Sequence, residues 1–377
     1  MGLLLETNWA TCSVVNSKEL KGLRQSRKLD HIHHTLQLAD GPGTTGFADI
    51  TLIHNSLPNI AWEDITLATS LADFTLTHPV IINAITGGAV DVTEINGKLA
   101  QFAKMTGSAM AVGSQYSALE NSTVWESYQI VRRENPDGII IANLGAHASS
   151  EQARIAVDMI GADAIQIHLN AAQEIIMAEG DRDFRGYLDN IAEIVSHVQV
   201  PVFVKEVGCG IAREAAADLA DTGIRAIDVG GMGGTNFLAI EAARSQAQLP
   251  DELLSWGIPT TISALEVLSI LPPSVQLIVS GGVRTPLDMI KSMAFGGSAV
   301  AMAAPVLRMI SEHGVAYAAE WFEKFLHTGR RYMMLVGAKE TKDLLTVPFQ
   351  ITGFSREWLM NRSIDTTQYA NRKKHGL

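Results

Sequence analysis

The apolar positions of this chain fall into two alternating patterns. Short, nearly unbroken apolar runs occur at "VIINAIT" (80–86), "AMAVG" (109–113), "GIIIANLG" (138–145), "AIQIHL" (164–169), "VPVFVKE" (200–206), "AIDVGG" (226–231), "VQLIVSGG" (275–282) and "AVAMAAP" (299–305). Runs that lack a polar alternation suit strands buried on both faces, as in a parallel sheet. Between them lie segments such as "EQARIAVDMIGA" and "AREAAADLADTG", where apolar residues recur at helical spacing and Gly marks the helix end.

Eight such strands alternating with helices predict the α/β class and a (β/α)8 TIM barrel over 80–325. A doubly wound open sheet is the alternative, and strand count and order favour the barrel. Residues 1–79 form an N-terminal extension with a turn at "DGPGTTG" (40–46) and a hairpin expected around 50–77. Residues 326–377 are expected to be a C-terminal helix and a polar tail, "NRKKHGL". The longest interval between strands, after the sixth, holds "SQAQLPDELLSWGIPT", which reads as an inserted loop or short helix.

Composition narrows the function. The 377 residues are 47% hydrophobic and 18% charged, enough for one large core. A net charge of −11 argues against nucleic-acid binding, which needs a basic face. The two cysteines, Cys12 and Cys209, make no disulfide framework or metal-type spacing and fit a reducing cytoplasm. The start "MGLLLETNWA" lacks signal-peptide features, and no apolar run nears the roughly 18 residues of a membrane span.

In such barrels the site lies at the C-terminal ends of the strands. There the chain places polar groups and glycines: "INAITGG", "VGSQ", "ANLGA", "IHLNAAQE", "FVKE", "DVGGMGGTN" and "VSGGVR". The Gly-Gly turn before Arg284, beside the turn after strand eight, predicts a phosphate cradle; plain tight turns are the bland alternative. Lys205 ends an apolar strand and either pairs with Glu206 or another rim carboxylate, or faces an anionic cofactor edge. Thr86, Ser114, Asn143 and Thr235 are candidate hydrogen-bonding groups, though Ser and Asn also serve turns. The segment 18–34 gathers Lys18, Lys21, Arg24, Arg27 and Lys28 before His31, His33 and His34. It reads either as a solvated face or as a clamp on a phosphorylated substrate.

In "IHLNAAQE", His168 and Asn170 are two apart and should face the same way from the strand end, with Gln173 and Glu174 on the turn beyond. The bland alternative has His168, Asn170 and Gln173 bonding backbone at the barrel top.

These pieces, with "RKLDHI", "EGDRDF", "FVKEVGCGI" and "SGGVRTPLDMIKSMAFGGSAVAMAAP", resemble the type 2, flavin-dependent isopentenyl-diphosphate isomerases over about residues 24 to 310. "HLNAAQE" and "RKLDHI" discriminate; the glycine turns are common to many FMN barrels. The resemblance implies a 1,3 proton shift between isopentenyl and dimethylallyl diphosphates with reduced FMN and Mg2+, NADPH serving only to reduce the flavin. It implies FMN contacts at Ala84, Ile85, Thr86, Ser114, Asn143, Lys205 and Thr235, and phosphate contacts at Gly282, Val283, Arg284, Ala303 and Ala304. It places the diphosphate at Arg27, Lys28, His31 and Gln173 and Mg2+ at Glu174. The reduced flavin N5 is then expected to move the proton, with Gln173 positioning or relaying on the other side, next to His168 and Asn170. A homotetramer or homo-octamer follows by analogy.

Two departures stand out. Tyr116 follows "GSQ", where some family members have Arg, and "AMAAP" replaces the Gly-Arg pair of many FMN barrels. Three rivals remain. A 2-hydroxy-acid oxidase needs a histidine base after strand six, where "DVGGMGGTNF" has none. An IMP dehydrogenase-like enzyme needs a nucleophilic cysteine there, whereas Cys209 follows strand five. The last is a non-catalytic flavin-binding barrel.

Overall fold

A computed structural model of the chain describes residues 30–38 and 40–372. Eight parallel strands close into a barrel: β1 Val80–Ile82, β2 Ala109–Ala111, β3 Ile140–Gly145, β4 Ala164–Leu169, β5 Val202–Glu206, β6 Ala226–Asp228, β7 Gln276–Ser280 and β8 Ala299–Met302. Neighbours pair in sequence order, and β8 closes on β1, as in Ala301↔Ile81. The TIM barrel, rather than the open sheet, is the architecture.

The period of two along each strand sorts its residues. Ile81, Ala109, Ile141, Ala164, Phe203, Ala226, Ile278 and Ala299, one from each strand, join a single buried cluster inside the barrel. Their neighbours, such as Val80, Ile82, Val204 and Ile227, belong to a second cluster that packs against the helices. Burial on both faces is why the strands read as unbroken apolar runs. Two positions further on, the inward set turns polar: Asn83, Asn143, Lys205, Asp228 and Ser280 follow Ile81, Ile141, Phe203, Ala226 and Ile278. The polar groups thus sit on the same inward face as that apolar cluster, toward the C-terminal ends of the strands.

Leu71 and Leu76, from the hairpin Thr69–Leu71 and Phe74–Leu76, join the inner cluster. The hairpin expected over 50–77 is confined to these residues. Ile50–Leu52 instead pairs antiparallel with Phe349–Ile351, because the buried Ile50 and Ile351 face each other across that register. The chain end therefore folds back onto the extension. A division at 325/326 would fall inside the helix Ala304–Val336, which is broken only at Gly314 (φ 81°). Beyond it lie Gly353–Asn361 and Thr367–Ala370. Arg372, expected in a polar tail, lies over the Phe349 ring at 5.0 Å and donates to Ala294 O at 2.6 Å. The rest of that tail, 373–377, is outside the described residues. The interval after β6 folds as Phe237–Ser245, Asp251–Leu254 and Thr260–Leu268. Among the described residues, no helix is long and apolar enough to cross a membrane.

Candidate active site

Two adjoining cavities open at the C-terminal strand ends, one of about 210 Å³ and one of about 70 Å³. His31, Ala84, Ile85, Lys205, Val207 and Phe237 line both. Ser114, Asn143, His168, Asn170, Gln173 and Glu174 line the larger; Thr235, Gly282, Arg284, Ala303 and Ala304 line the smaller. Most residues expected from sequence are therefore brought together. Two stand back from both cavities: Val283 is wholly buried, and Thr86 is buried with its Oγ1 lacking a hydrogen-bond partner. Arg27 and Lys28 lie outside the described residues.

The floor is a polar knot. Asp228 accepts from Asn83 Nδ2 at 2.8 Å, from Ser280 Oγ, and from the Gly230 amide at 3.3 Å. Lys205 is paired with Asp228 in the strand register and donates to the Glu206 carbonyl at 2.7 Å. Burial pulls the Lys205 ammonium down, opposed by Asp228 and Glu206, and pushes the Asp228 carboxyl up against the pull of Lys205. A Lys205–Glu206 ion pair does not form. The Glu206 carboxylate turns instead to the amides of Val207 and Gly208, both at 2.7 Å, and of Cys209 at 2.5 Å. Burial pushes Glu206 up to about 7 against those amides and Lys205.

The smaller cavity is framed by backbone. Gly281 (φ +99°) and Gly282 (φ +83°) pass so close to the β6 turn that added Cβ atoms would lie 2.1 Å from Gly231 O and 2.6 Å from Gly233 O. Ala303 and Ala304 open a helix there, and a helix N-terminus favours anions. Arg284 donates from Nε to Asp40 at 2.6 Å, while its buried Nη2 lies against the same carboxylate without hydrogen-bond geometry. Arg308 Nη2 donates to Thr35 O and Leu38 O, both at 2.9 Å, so the helix over 30–37 is tied down beside Arg284.

The larger cavity is built from side chains. Gln173 and Glu174 sit on the short helix Ala171–Ile176 rather than on a turn, and Asn170 (φ −142°, ψ 34°) has left the strand to occupy its N-cap position. Each of the three candidate groups in this stretch bonds a side chain, not only backbone. His168 Nδ1 meets Asn143 Oδ1 at 2.8 Å, Asn170 Nδ2 donates to Glu174 Oε1 at 2.7 Å, and Gln173 Nε2 donates to Glu241 Oε1 at 2.7 Å. The second Glu174 oxygen accepts from the Asp181 amide at 2.9 Å.

Glu241 is the residue that sequence reasoning missed. It is fully buried on the helix Phe237–Ser245, four residues from Phe237, which lines both cavities. Besides Gln173, it meets His31 Nε2 at 2.8 Å and Arg244 Nε at 2.7 Å. Burial alone would raise its pKa; His31, Gln173 and Arg244 outweigh that and hold it at about 2. The available signal was an acid inside the otherwise apolar "FLAIEAA". Glu241 fixes the Gln173 amide with nitrogen toward the carboxylate and the carbonyl oxygen away from it.

Comparison with known proteins decides the family. A family model described as FMN-dependent dehydrogenase matches residues 142–346. The isopentenyl-diphosphate delta-isomerase of Symbiobacterium thermophilum is 46% identical, with 93% of this chain and 99% of that protein aligned. That of Geobacillus sp. (strain WCH70) is 48% identical over the same shares. This chain belongs to the isopentenyl-diphosphate delta-isomerase family. The isomerase barrel superposes on a lactate oxidase of Pediococcus acidilactici (TM-score 0.66, 18% identity, 92% of this chain and 97% of that one). It also superposes on a mandelate oxidase with bound (S)-mandelic acid (TM-score 0.63, 17% identity, 88% and 98%). At that identity the likeness is one of fold.

FMN fits the smaller cavity of this isomerase-family barrel. Gly281 and Gly282 keep the wall free of side chains; Arg284 and the helix start at Ala304 would offer positive character to a cofactor phosphate, and Lys205 a second cation elsewhere in the lining. Among the described residues no group of three or more His, Cys, Asp or Glu could cage a metal. One oriented carboxylate, Glu174, suits Mg2+ that keeps waters and takes substrate oxygens.

Proposed function

We propose that this chain interconverts isopentenyl and dimethylallyl diphosphates, with reduced FMN in the smaller cavity and the substrate in the larger. The observation that supports this most is the shared wall. Ile85, Val207 and Phe237 line both cavities and would give a hydrocarbon an apolar seat next to Gln173, which lines the larger one. When bound, reduced FMN supplies the acid–base centre that moves the proton, and no net redox change results.

The chain's own residues then divide the labour. Lys205 neutralises the electron-rich flavin edge. Gln173, oriented by Glu241, presents its carbonyl oxygen on the far side and holds or relays a proton there. His168 and Asn170 brace that side through Asn143 and Glu174. A neutral amide rather than a carboxylate suits a site where charge develops on carbon. His31, with Arg27 and Lys28, takes the diphosphate, and Glu174 takes Mg2+ through one oxygen. We place NADPH outside the isomerisation as flavin reductant, and the enzyme in the cytoplasm as a homotetramer or homo-octamer.

The test is incubation of the purified chain with isopentenyl diphosphate, FMN, Mg2+ and NADPH. Dimethylallyl diphosphate formed without stoichiometric NADPH loss is the expected result. Steady NADPH oxidation coupled to turnover would replace the reading with a redox enzyme, and bound flavin without turnover would replace it with a binding module.

A further inference from the structure

The motif "EGDRDF" (179–184) has no part in the chemistry assigned so far, yet it folds around Glu174. It follows the helix Ala171–Ile176 and is pinned at its start, where Glu179 accepts from Arg244 at 2.6 Å. Two nearby arginines bond carboxylates: Arg185 holds Asp183, and Arg244 holds Glu179 and Glu241. Arg182 is spent on carbonyls instead. Its Nη1 donates to Glu174 O at 2.6 Å, Gly180 O at 2.8 Å and Asp181 O at 3.0 Å, and its Nη2 to Met177 O at 2.6 Å.

Carbonyls at a helix end have no partner within the helix, and a planar fork of five donors suits several of them at once. Gathering four carbonyls around one guanidinium folds the segment 177–181 back against the helix. The closeness shows in two contacts. The Asp181 amide donates to Glu174 Oε2 at 2.9 Å. A Cβ on Gly180 would lie 2.0 Å from Glu174 O and 2.9 Å from Glu174 Oε2. With Asn170 Nδ2 on Oε1 at 2.7 Å, the Glu174 carboxylate has a donor fixing each oxygen. Its orientation at the larger cavity therefore depends on the loop, and the shape of the loop depends on Arg182.

We propose that Arg182 is a positioning residue: by closing the loop 177–181 it sets the Glu174 carboxylate for a divalent cation. The inference rests on the metal reading of Glu174 above and extends it to a residue that lines neither cavity. The sign of the effect separates orientation from charge. Removing a nearby positive charge favours a divalent cation by Coulomb's law, whereas loosening the partner that orients its ligand disfavours it.

The experiment uses full-length enzyme with oxidised FMN and a fixed concentration of inorganic pyrophosphate, so that nothing turns over. Mn2+ is titrated by electron paramagnetic resonance, and the Asp181 amide is followed by hydrogen–deuterium exchange. Arg182 is exposed, so its replacement leaves the core intact. Arg182→Ala is expected to raise the Mn2+ Kd about tenfold, the scale of a lost outer partner of a metal ligand. It should also speed exchange at Asp181 by about tenfold, as a released hydrogen bond does. Gly180→Ala, which pushes the same loop off Glu174, should do likewise. Arg182→Lys keeps the charge without the fork and is expected to fall between. In the Glu174→Gln background Arg182→Ala should shift the Kd no further, because the two residues act as one unit. Where Glu174→Gln weakens Mn2+, an unchanged or tighter Kd in Arg182→Ala overturns the assignment, as does an additive loss in the double variant. If the wild type binds no Mn2+, or Glu174→Gln leaves the Kd unchanged, the metal reading fails. Exchange then decides whether Arg182 positions Glu174, and an unchanged rate at Asp181 in Arg182→Ala overturns that too.

Discussion

The two cavities share six residues and are built on opposite plans. The smaller one is walled largely by backbone and small residues: Gly230, Gly231, Gly281, Gly282 and four alanines, two of them at a helix start, with Arg284 close by. The larger one is walled by side chains that hold one another, above all Gln173, Glu241, His31 and Arg244. A backbone wall can fail only where an added atom breaks it. A side-chain network can fail at any member, because a buried polar group left unpaired costs free energy.

Breaking the network should have the largest effect. Gln173→Ala and Glu241→Gln are expected to lower kcat by about 10²–10³, in the range of lost proton-transfer groups, while FMN Kd stays within about threefold. Turnover and flavin titration of the two variants check this, and equal loss of flavin would erase the division between the cavities. Next comes the backbone wall. Gly281→Ala would drive a Cβ to 2.1 Å from Gly231 O. It should weaken FMN by about tenfold or more and destabilise the fold by about 1–3 kcal/mol, read by flavin fluorescence and thermal unfolding.

Smaller effects sharpen the contrast within the larger cavity. Glu174→Gln should raise the half-saturating Mg2+ concentration about tenfold, by removing the charge from its only proposed protein ligand. An unaltered titration would take Glu174 out of metal binding. The least effect is in stability against acid. Glu241 is held at about 2, below its ordinary 4.5, so it stabilises the fold above pH 4.5 and that contribution fades as pH falls from 4.5 toward 2. Glu241→Gln should flatten the acid limb of the unfolding profile in that window and leave the slope above pH 5 unchanged.

Much of this was legible in the chain. All eight strands could be read, because burial on both faces leaves an apolar run that needs no partner to be recognised. The glycine turns could be read, because close backbone approach admits nothing else. The pairing of Ile50–Leu52 with Phe349–Ile351 could not, since about 300 residues separate the strands and neither carries a signal for the other. Glu241 was hidden for a related reason. On its own helix it is one acid among apolar neighbours, and its meaning comes from His31, 210 positions away, and Gln173, 68 away. Asn170 and Gln173 were read as strand end and turn but lie at the cap and on the body of a helix, because nothing in "LNAAQE" announces where strand becomes helix.

The helix over 30–37 has a consequence for timing. His31 and Thr35 line the smaller cavity from above, and the segment is fastened by Asp40 to Arg284 and by Arg308 to Thr35 and Leu38. On the proposed placement, a flavin beneath it would have to loosen that fastening in order to leave. Its residence time would then be governed by how often the roof lifts, so exchange should be slow even where equilibrium affinity is modest.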